Sequence, residues 1–262
     1  IRAQFPHLPG TQAAIDIALH DAFAKLKGRS VISLFGQKIK ELPTSVTIGI
    51  MPISDAIEEA RAFEKLGFKI LKVKTGENVD EDIERIKRLQ EHIGSRMKIR
   101  VDPNQGYDLP ALKKFISHTS GIELIEQPLP VGQETELNGL IHSGLMADES
   151  ITDVAAAKKL AEFPQPFQIY NIKLMKAGGI QAALEIAQVA QRAQIDLFWG
   201  CNDESILSIT AALHAAYAMP NTRYLDLDGS FDLAHDLVEG GFRLHDGYMR
   251  IVEKPGFGVE MR

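Results

Sequence analysis

The chain has 262 residues, 45% hydrophobic and 24% charged, with a net charge of −6. That is enough for one large α/β unit in an ordinary globular protein. The acidic balance lacks a basic stripe and argues against nucleic acid, and no apolar run reaches the length of a membrane span. The single cysteine, Cys201, cannot form an internal disulfide, and no Cys/His zinc pattern is present. Ile1 is not an initiator residue, and the first ten residues read like the middle of a longer segment. Nothing there resembles a signal peptide, and a cytoplasmic location fits.

Residues 9–27 read as a helix. Thr11 is its N-cap, Ala14, Ile15, Ala18, Leu19, Ala22 and Phe23 form its apolar stripe, and Gly28 ends it. Residues 31–35 are a short apolar run closed by Gly36. Strand and helix do not alternate here, so residues 1–43 are expected to form a separate, mostly helical flank. From Thr44 a pattern repeats. Strands are predicted at 45–50, 69–74, 98–102, 122–126, 145–148, 168–173, 196–200 and 223–226. Helices are predicted between them at 54–66, 80–93, 109–118, 133–143, 152–162, 179–193 and 204–218. The repeat is about 25 residues, the length of one strand-plus-helix unit. Short Ile/Leu/Val-rich strands are typical of parallel strands buried on both faces. Residues 44–228 are therefore expected to close into a parallel barrel. Residues 229–262, with several glycines, are expected to return over the flank or the barrel.

Chemistry in such barrels gathers at the C-terminal strand ends. Those ends carry Lys72 and Lys74, then Asp102, Glu126, Asp148 with Glu149, Lys173, and finally Asp226 and Asp228. The strand period puts Ile70, Lys72 and Lys74 on one face. Two ammonium groups so placed are expected to lower each other's pKa; the competing reading is a solvated edge strand. Asp102, Glu126 and Asp148 lie on three adjacent strands. Singly, Asp102-Pro-Asn and Asp148-Glu-Ser read equally well as turns; together the three suit a hard divalent cation such as Mg²⁺. Lys173 and Lys74 flank the carboxylate strands, so one could remove a proton from a bound carbon while the other returns one. Lys176 competes with Lys173. Asp226 and Asp228 can point at one ligand, or Asp228-Gly-Ser230 can be a turn. Cys201 reads as packing, His214 as a core histidine, and Glu149 and Glu204 as supports for the charged residues.

Lys72-Val-Lys74, Val101-Asp-Pro-Asn-Gln105, Ile125-Glu-Gln-Pro128, Ala147-Asp-Glu-Ser150 and Asn171-Ile-Lys-Leu174 with Gly178-Gly179 resemble the enolase superfamily, in its muconate-lactonizing subgroup. Gly200-Cys-Asn-Asp-Glu-Ser205 and Leu225-Asp-Leu-Asp-Gly229 resemble the dipeptide epimerases within it, which include L-Ala-D/L-Glu epimerase. The resemblance covers essentially the whole chain. It implies a (β/α)₇β TIM-like barrel, with residues 1–43 the C-terminal remnant of an α+β capping domain and 229–262 packing back on it. It makes Asp102, Glu126 and Asp148 Mg²⁺ ligands, Lys74 and Lys173 the acid/base pair, and Lys72 the neighbour that holds down the pKa of Lys74. It puts Asp226, Asp228, Gly200 and Cys201 against the substrate, a dipeptide. Related alternatives are o-succinylbenzoate synthase, N-acylamino acid racemase and cycloisomerase; a non-catalytic scaffold is a different class. A homo-oligomer is compatible with the sequence.

Overall fold

The strand–helix alternation folds into a barrel whose strands all turn the same set of residues inward. The computed structural model describes residues 1–140 and 144–262. The first elements are α1 (Pro9–Leu26), α2 (Val31–Phe35), β1 (Leu42–Pro43), β2 (Val46–Ile48), α3 (Ile53–Lys65), β3 (Ile70–Lys74), α4 (Val79–Ile93), β4 (Lys98–Asp102) and α5 (Leu109–His118). There follow β5 (Ile122–Glu126), β6 (Leu145–Ala147), α6 (Val154–Leu160), β7 (Ile169–Ile172), α7 (Leu174–Ala177), α8 (Ile180–Arg192), β8 (Asp196–Gly200), α9 (Ile206–Ala218) and β9 (Thr222–Asp226). The chain ends in β10 (Val238–Gly240), β11 (Phe242–His245), β12 (Tyr248–Ile251) and β13 (Val259–Met261). None of the helices described is long and apolar enough to cross a membrane.

β2 to β9 form one eight-stranded sheet in sequence order, every pair parallel. A bridge between Thr44 and Leu225, with Ser45 N donating to Leu225 O at 3.1 Å, brings β9 back to the start of β2. The period of two sorts each strand's side chains. Leu71, Val73, Val101 and Ile125 join a large cluster with helix residues such as Ile86, Leu89, Ala187 and Leu213. Leu124, Met146, Ile169 and Phe198 form a second cluster with Tyr224 against it. Arg100 belongs to that inner layer, its guanidinium 5.2 Å from the Phe198 ring and 5.1 Å from Tyr224. Two residues further along the same faces come Asp102, Glu126, Asp148, Asn171, Gly200 and Asp226. The barrel floor is thus apolar and capped by Arg100, and the layer above it is ionisable.

Helix starts are locally encoded. Asn78, Asp108, Asp153 and Ser205 each accept a hydrogen bond from the first turn of the helix that follows. α8 has no such cap, because Gly179 offers no side chain. Asp16 of α1 substitutes, its Oδ2 accepting from Ile180 N at 2.6 Å. Asp21 of α1 accepts from Phe257 N at 2.9 Å.

These anchors correct the expected setting of α1. The helix buries Gln12, Ala13, Ile17 and Ala24. The predicted stripe turns outward, with Leu19 57% and Phe23 53% exposed. α1 is apolar on several sides, so its polar anchors, not its apolar count, fix its rotation. The helix begins at Pro9 with Leu8 in the cap position and no side-chain cap, so Thr11 does not serve. Residues 31–35 are helical. The helix expected at 133–143 is a single 3₁₀ turn, Glu134–Leu137, closed off by Asn138 and Gly139; residues 141–143 lie outside the described residues. The C-terminal segment is stranded: β11 and β12 form a hairpin that pairs β1, and β10 pairs β13.

Candidate active site

The ionisable layer opens into a cavity of about 680 Å³ at the C-terminal strand ends. Strand register decides who meets whom. Lys74 pairs with Asp102 across β3 and β4, and Gly200 with Asp226 across β8 and β9. β3 and β7 are four strands apart in a sheet of eight, so Lys74 and Lys173, which directly follows β7, stand on opposite sides. Asp102, Glu126 and Asp148 fill one arc between them, on β4, β5 and just past β6.

Lys74 Nζ donates to Asp102 Oδ2 and to Asn104 Oδ1, both at 2.7 Å. Lys173 Nζ donates to Asp148 Oδ2 at 2.9 Å. Lys176 Nζ also donates to Asp148, through Oδ1 and the main-chain oxygen. Burial alone would raise Asp148, but the Lys176 and Lys173 ammonium groups hold its carboxyl well below the usual range. Burial works against the charge of Lys173, yet Asp148 and Glu126 raise its pKa overall. For Lys176 burial prevails and the pKa falls.

Lys72 is 4% exposed, with Nζ 2.8 Å from Glu126 Oε2, 2.9 Å from Asp226 Oδ2 and 3.1 Å from Asp102 Oδ2. Burial opposes its charge, but Asp226, Glu126 and Asp102 outweigh it and push the pKa well above the ordinary lysine value. The expected mutual lowering of the two lysines is therefore wrong for Lys72. Three carboxylates, not the second ammonium, are its nearest charges.

Glu126 is buried between Asp102 and Asp148. Burial first, then Asp102, pushes its carboxyl up to about 8 against the pull of Lys72. Its Oε1 accepts from Asn171 Nδ2 at 2.6 Å, while the buried Oε2 has no hydrogen bond of acceptable geometry despite Lys72 nearby. Among the described residues no group of three His, Cys, Asp or Glu side chains stands so as to hold a metal ion. Asp102 pairs with Lys72 and Lys74, and Asp148 with Lys173 and Lys176. The donor set still fits a hard dication: three carboxylates on successive strands, the central one with an unmatched buried oxygen.

Asp226 is 3% exposed. Its Oδ1 accepts from Ser45 Oγ at 2.5 Å and its Oδ2 from Lys72. Asp228 Oδ2 accepts from Thr47 N at 2.8 Å, and burial with Asp226 beside it pushes this carboxyl up to about 7. Gly200 makes room for Asn171, since a Cβ there would stand 2.5 Å from Asn171 Oδ1. Cys201 lines the cavity, but burial and Asp228 push its thiol well up, and Sγ donates to Asp226 O at 3.2 Å. Glu149 accepts from Asn104 Nδ2 at 3.3 Å. Glu204 turns onto its own loop, accepting from Asn202 N and Ser208 Oγ.

Asn104, Asn171 and Gln127 lie inside the motifs quoted above with no role of their own assigned, and Ser45 opens a predicted strand without one. Asn171 carried a signal, being two residues from Lys173 on one face. Gln127 Oε1 accepts from Asp148 N and Ser150 N, stitching the ends of β5 and β6. Asn104, Gln105 and Gln127 all hold positive φ (45°, 67° and 32°), a strained backbone concentrated at this rim.

Residues 55–262 match the family model of the enolase C-terminal domain-like proteins. The chain belongs to that family. An L-Lys-D/L-Arg epimerase of Desulforapulum autotrophicum is 51% identical over 256 residues, 96% of this chain and 72% of that protein. A solved dipeptide epimerase from Methylococcus capsulatus, complexed with Mg and the dipeptide L-Arg-D-Lys, is 49% identical with a TM-score of 0.96 and covers 98% of this chain and 74% of that one. Muconate lactonizing enzyme from Pseudomonas putida has a TM-score of 0.89 at 29% identity, covering 95% of this chain and 72% of that one. Within the enolase family the chain is an isomerase, as its epimerase relatives are.

Proposed function

We propose that this enolase-family isomerase is a Mg²⁺-dependent dipeptide epimerase that moves a proton at the α-carbon of the C-terminal residue. The carrying observation is the placement of Lys74 and Lys173 on opposite sides of one cavity, with Asp102, Glu126 and Asp148 along the arc between them. An α-proton beside a carboxylate is weakly acidic, because its loss adds a second charge to one small group. A Mg²⁺ held by Asp102, Glu126 and Asp148 would supply positive charge where that second charge develops. Lys74 takes the proton from one face. Lys173, kept as an ammonium by Asp148, gives one to the other face. The roles reverse for the opposite enantiomer. Asp228, with Asp226 behind it, takes the dipeptide's free ammonium.

The test is α-proton exchange in D₂O with Mg²⁺ and a dipeptide panel, followed by NMR. Lys74→Ala and Lys173→Ala are each expected to lower epimerisation by about 10²–10⁴-fold or more, the usual range for a positioned acid or base. Turnover of N-succinylated amino acids with no dipeptide exchange would move the assignment to another member of the subgroup.

A further inference from the structure

Outside the cavity lies a buried charge that the proposed chemistry does not use. Asp82, near the start of α4, is 1% exposed. Its Oδ2 accepts from Gly76 N and from Tyr107 OH, both at 2.8 Å, and its Oδ1 accepts from an Arg85 guanidinium nitrogen at 2.8 Å. Arg85 and Tyr107 are buried with it. Burial, and then the Asp82 charge, pushes the Tyr107 phenol well up, so its hydroxyl stays a donor. A buried carboxylate is tolerated when its oxygens are paired and hydrogen-bonded, as both are here. Arg85 belongs to the same helix as Asp82. The other two donors come from elsewhere: Gly76 from the loop after β3, Tyr107 from the loop after β4.

Those two loops bring Lys74 and its partner Asn104 together. Thr75 N makes the last bond between the two strand ends, donating to Asp102 O at 3.1 Å. One residue on, Gly76 N turns to Asp82 instead. The loops then touch main chain to main chain, and a Cβ on Gly106 would stand 2.3 Å from Gly76 O. Asn104, with φ 45°, sits in the second loop and accepts from Lys74 Nζ at 2.7 Å. A strained residue of this kind persists only where its surroundings over-determine it. The Tyr107 ring is fixed in turn against Phe115 of α5, with centroids 5.7 Å apart. We infer that Asp82 is a positioning residue for Lys74: with Tyr107 it clasps the loops after β3 and β4 together and so keeps Asn104 against Lys74 Nζ. Lys173 follows β7, four strands away, and stands outside this clasp.

The inference rests on the two-lysine reading above, and the asymmetry of that reading supplies the test. Each lysine removes the α-proton from one face, so each serves one epimer. The C–H bond breaks to the lysine nitrogen, that nitrogen exchanges with D₂O, and a deuteron returns to the carbon. Initial rates of α-proton loss are followed by NMR at saturating substrate, for both epimers of one dipeptide. Lys74→Ala identifies the epimer that Lys74 serves. Asp82→Asn places an NH₂ where Arg85, Gly76 and Tyr107 all donate. It is expected to slow exchange of that epimer about 10–100-fold, as a shift on the order of 1 Å does, while the other epimer and both KM values stay within about threefold. Tyr107→Phe cuts only the link to the second loop and should slow the same epimer about threefold or more. It carries the test should Asp82→Asn fail to fold. Equal losses for the two epimers would make the clasp merely structural and overturn the inference, as would undiminished exchange of the Lys74 epimer in both variants. If Lys74→Ala and Lys173→Ala do not silence opposite epimers, the two-lysine reading itself falls, and the inference with it.

Discussion

Lys72 keeps its charge at a position where burial alone would remove it. Asp102, Glu126 and Asp226 each stand within 3.1 Å of its Nζ, and each is itself buried. Lys72 is thus the counter-ion for strands β4, β5 and β9 at once. Removing one partner of a buried ionic group leaves the others uncompensated, which costs about 3–5 kcal/mol. Lys72→Met is therefore expected to lower the stability by that amount in urea unfolding. A loss under about 1 kcal/mol would mean that the three carboxylates are neutralised by something else. The sequence placed Lys72 and Lys74 on one strand face correctly. It could not reveal that Lys72 would meet Asp226, 154 residues away.

At the scale of elements, α9 shows how the flank is held to the barrel. Every residue from Ser208 to Ala218 is buried, because the helix lies between the barrel, α2 and the C-terminal strands. His214 Nδ1 accepts from Ile32 N of α2 at 3.0 Å, so that nitrogen must be unprotonated, and Nε2 is buried with no partner. Burial pushes its pKa down from 6.5 to about 3, against a smaller upward pull from Asp21. The unfolded chain takes up a proton that the folded one refuses. This contribution is therefore complete above about pH 6.5 and is lost as the pH falls toward 3, at up to about 1.4 kcal/mol per pH unit. Urea midpoints across that window should fall with decreasing pH more steeply in the wild type than in His214→Gln. Equal slopes would show that His214 is already charged in the fold. Loops at the rim follow a similar logic of close approach. A Cβ at Gly76 would stand 2.2 Å from Pro103 O, so the loops after β3 and β4 can meet only through glycine, which fixes Lys74 beside Asn104.

For the molecule as a whole, the barrel and the proposed cation play separable parts. The core is apolar, and the carboxylates of the ionisable layer already have lysine partners, so folding does not rest on bound metal. Chelation with EDTA is expected to abolish α-proton exchange, with recovery on adding Mg²⁺, while far-UV circular dichroism and the cooperative melt persist. Unfolding on chelation would instead make the metal structural. The separation reflects geometry: opposite strands supply the lysines, three adjacent strands supply the carboxylates, and none of these groups contributes to the apolar floor below.

The barrel and the main charged residues were legible in the sequence because both depend on short-range periodicity. A repeat near 25 residues needs a strand and a helix each time, and a period of two assigns Lys72 with Lys74, or Asp226 with Asp228, to one face. The matches to Asp102, Glu126, Asp148 and Lys173 as rim residues followed from strand ends alone. What the sequence left open depends on partners far along the chain. The outward turn of the α1 stripe was decided by Asp16 and Asp21 bonding to main-chain groups at Ile180 and Phe257. The raised pKa of Lys72 was decided by three carboxylates on other strands. Within a strand, local pattern fixes which face a residue takes; only closure of the barrel fixes which charges it meets, because Coulomb interactions act across space, without regard to separation along the chain.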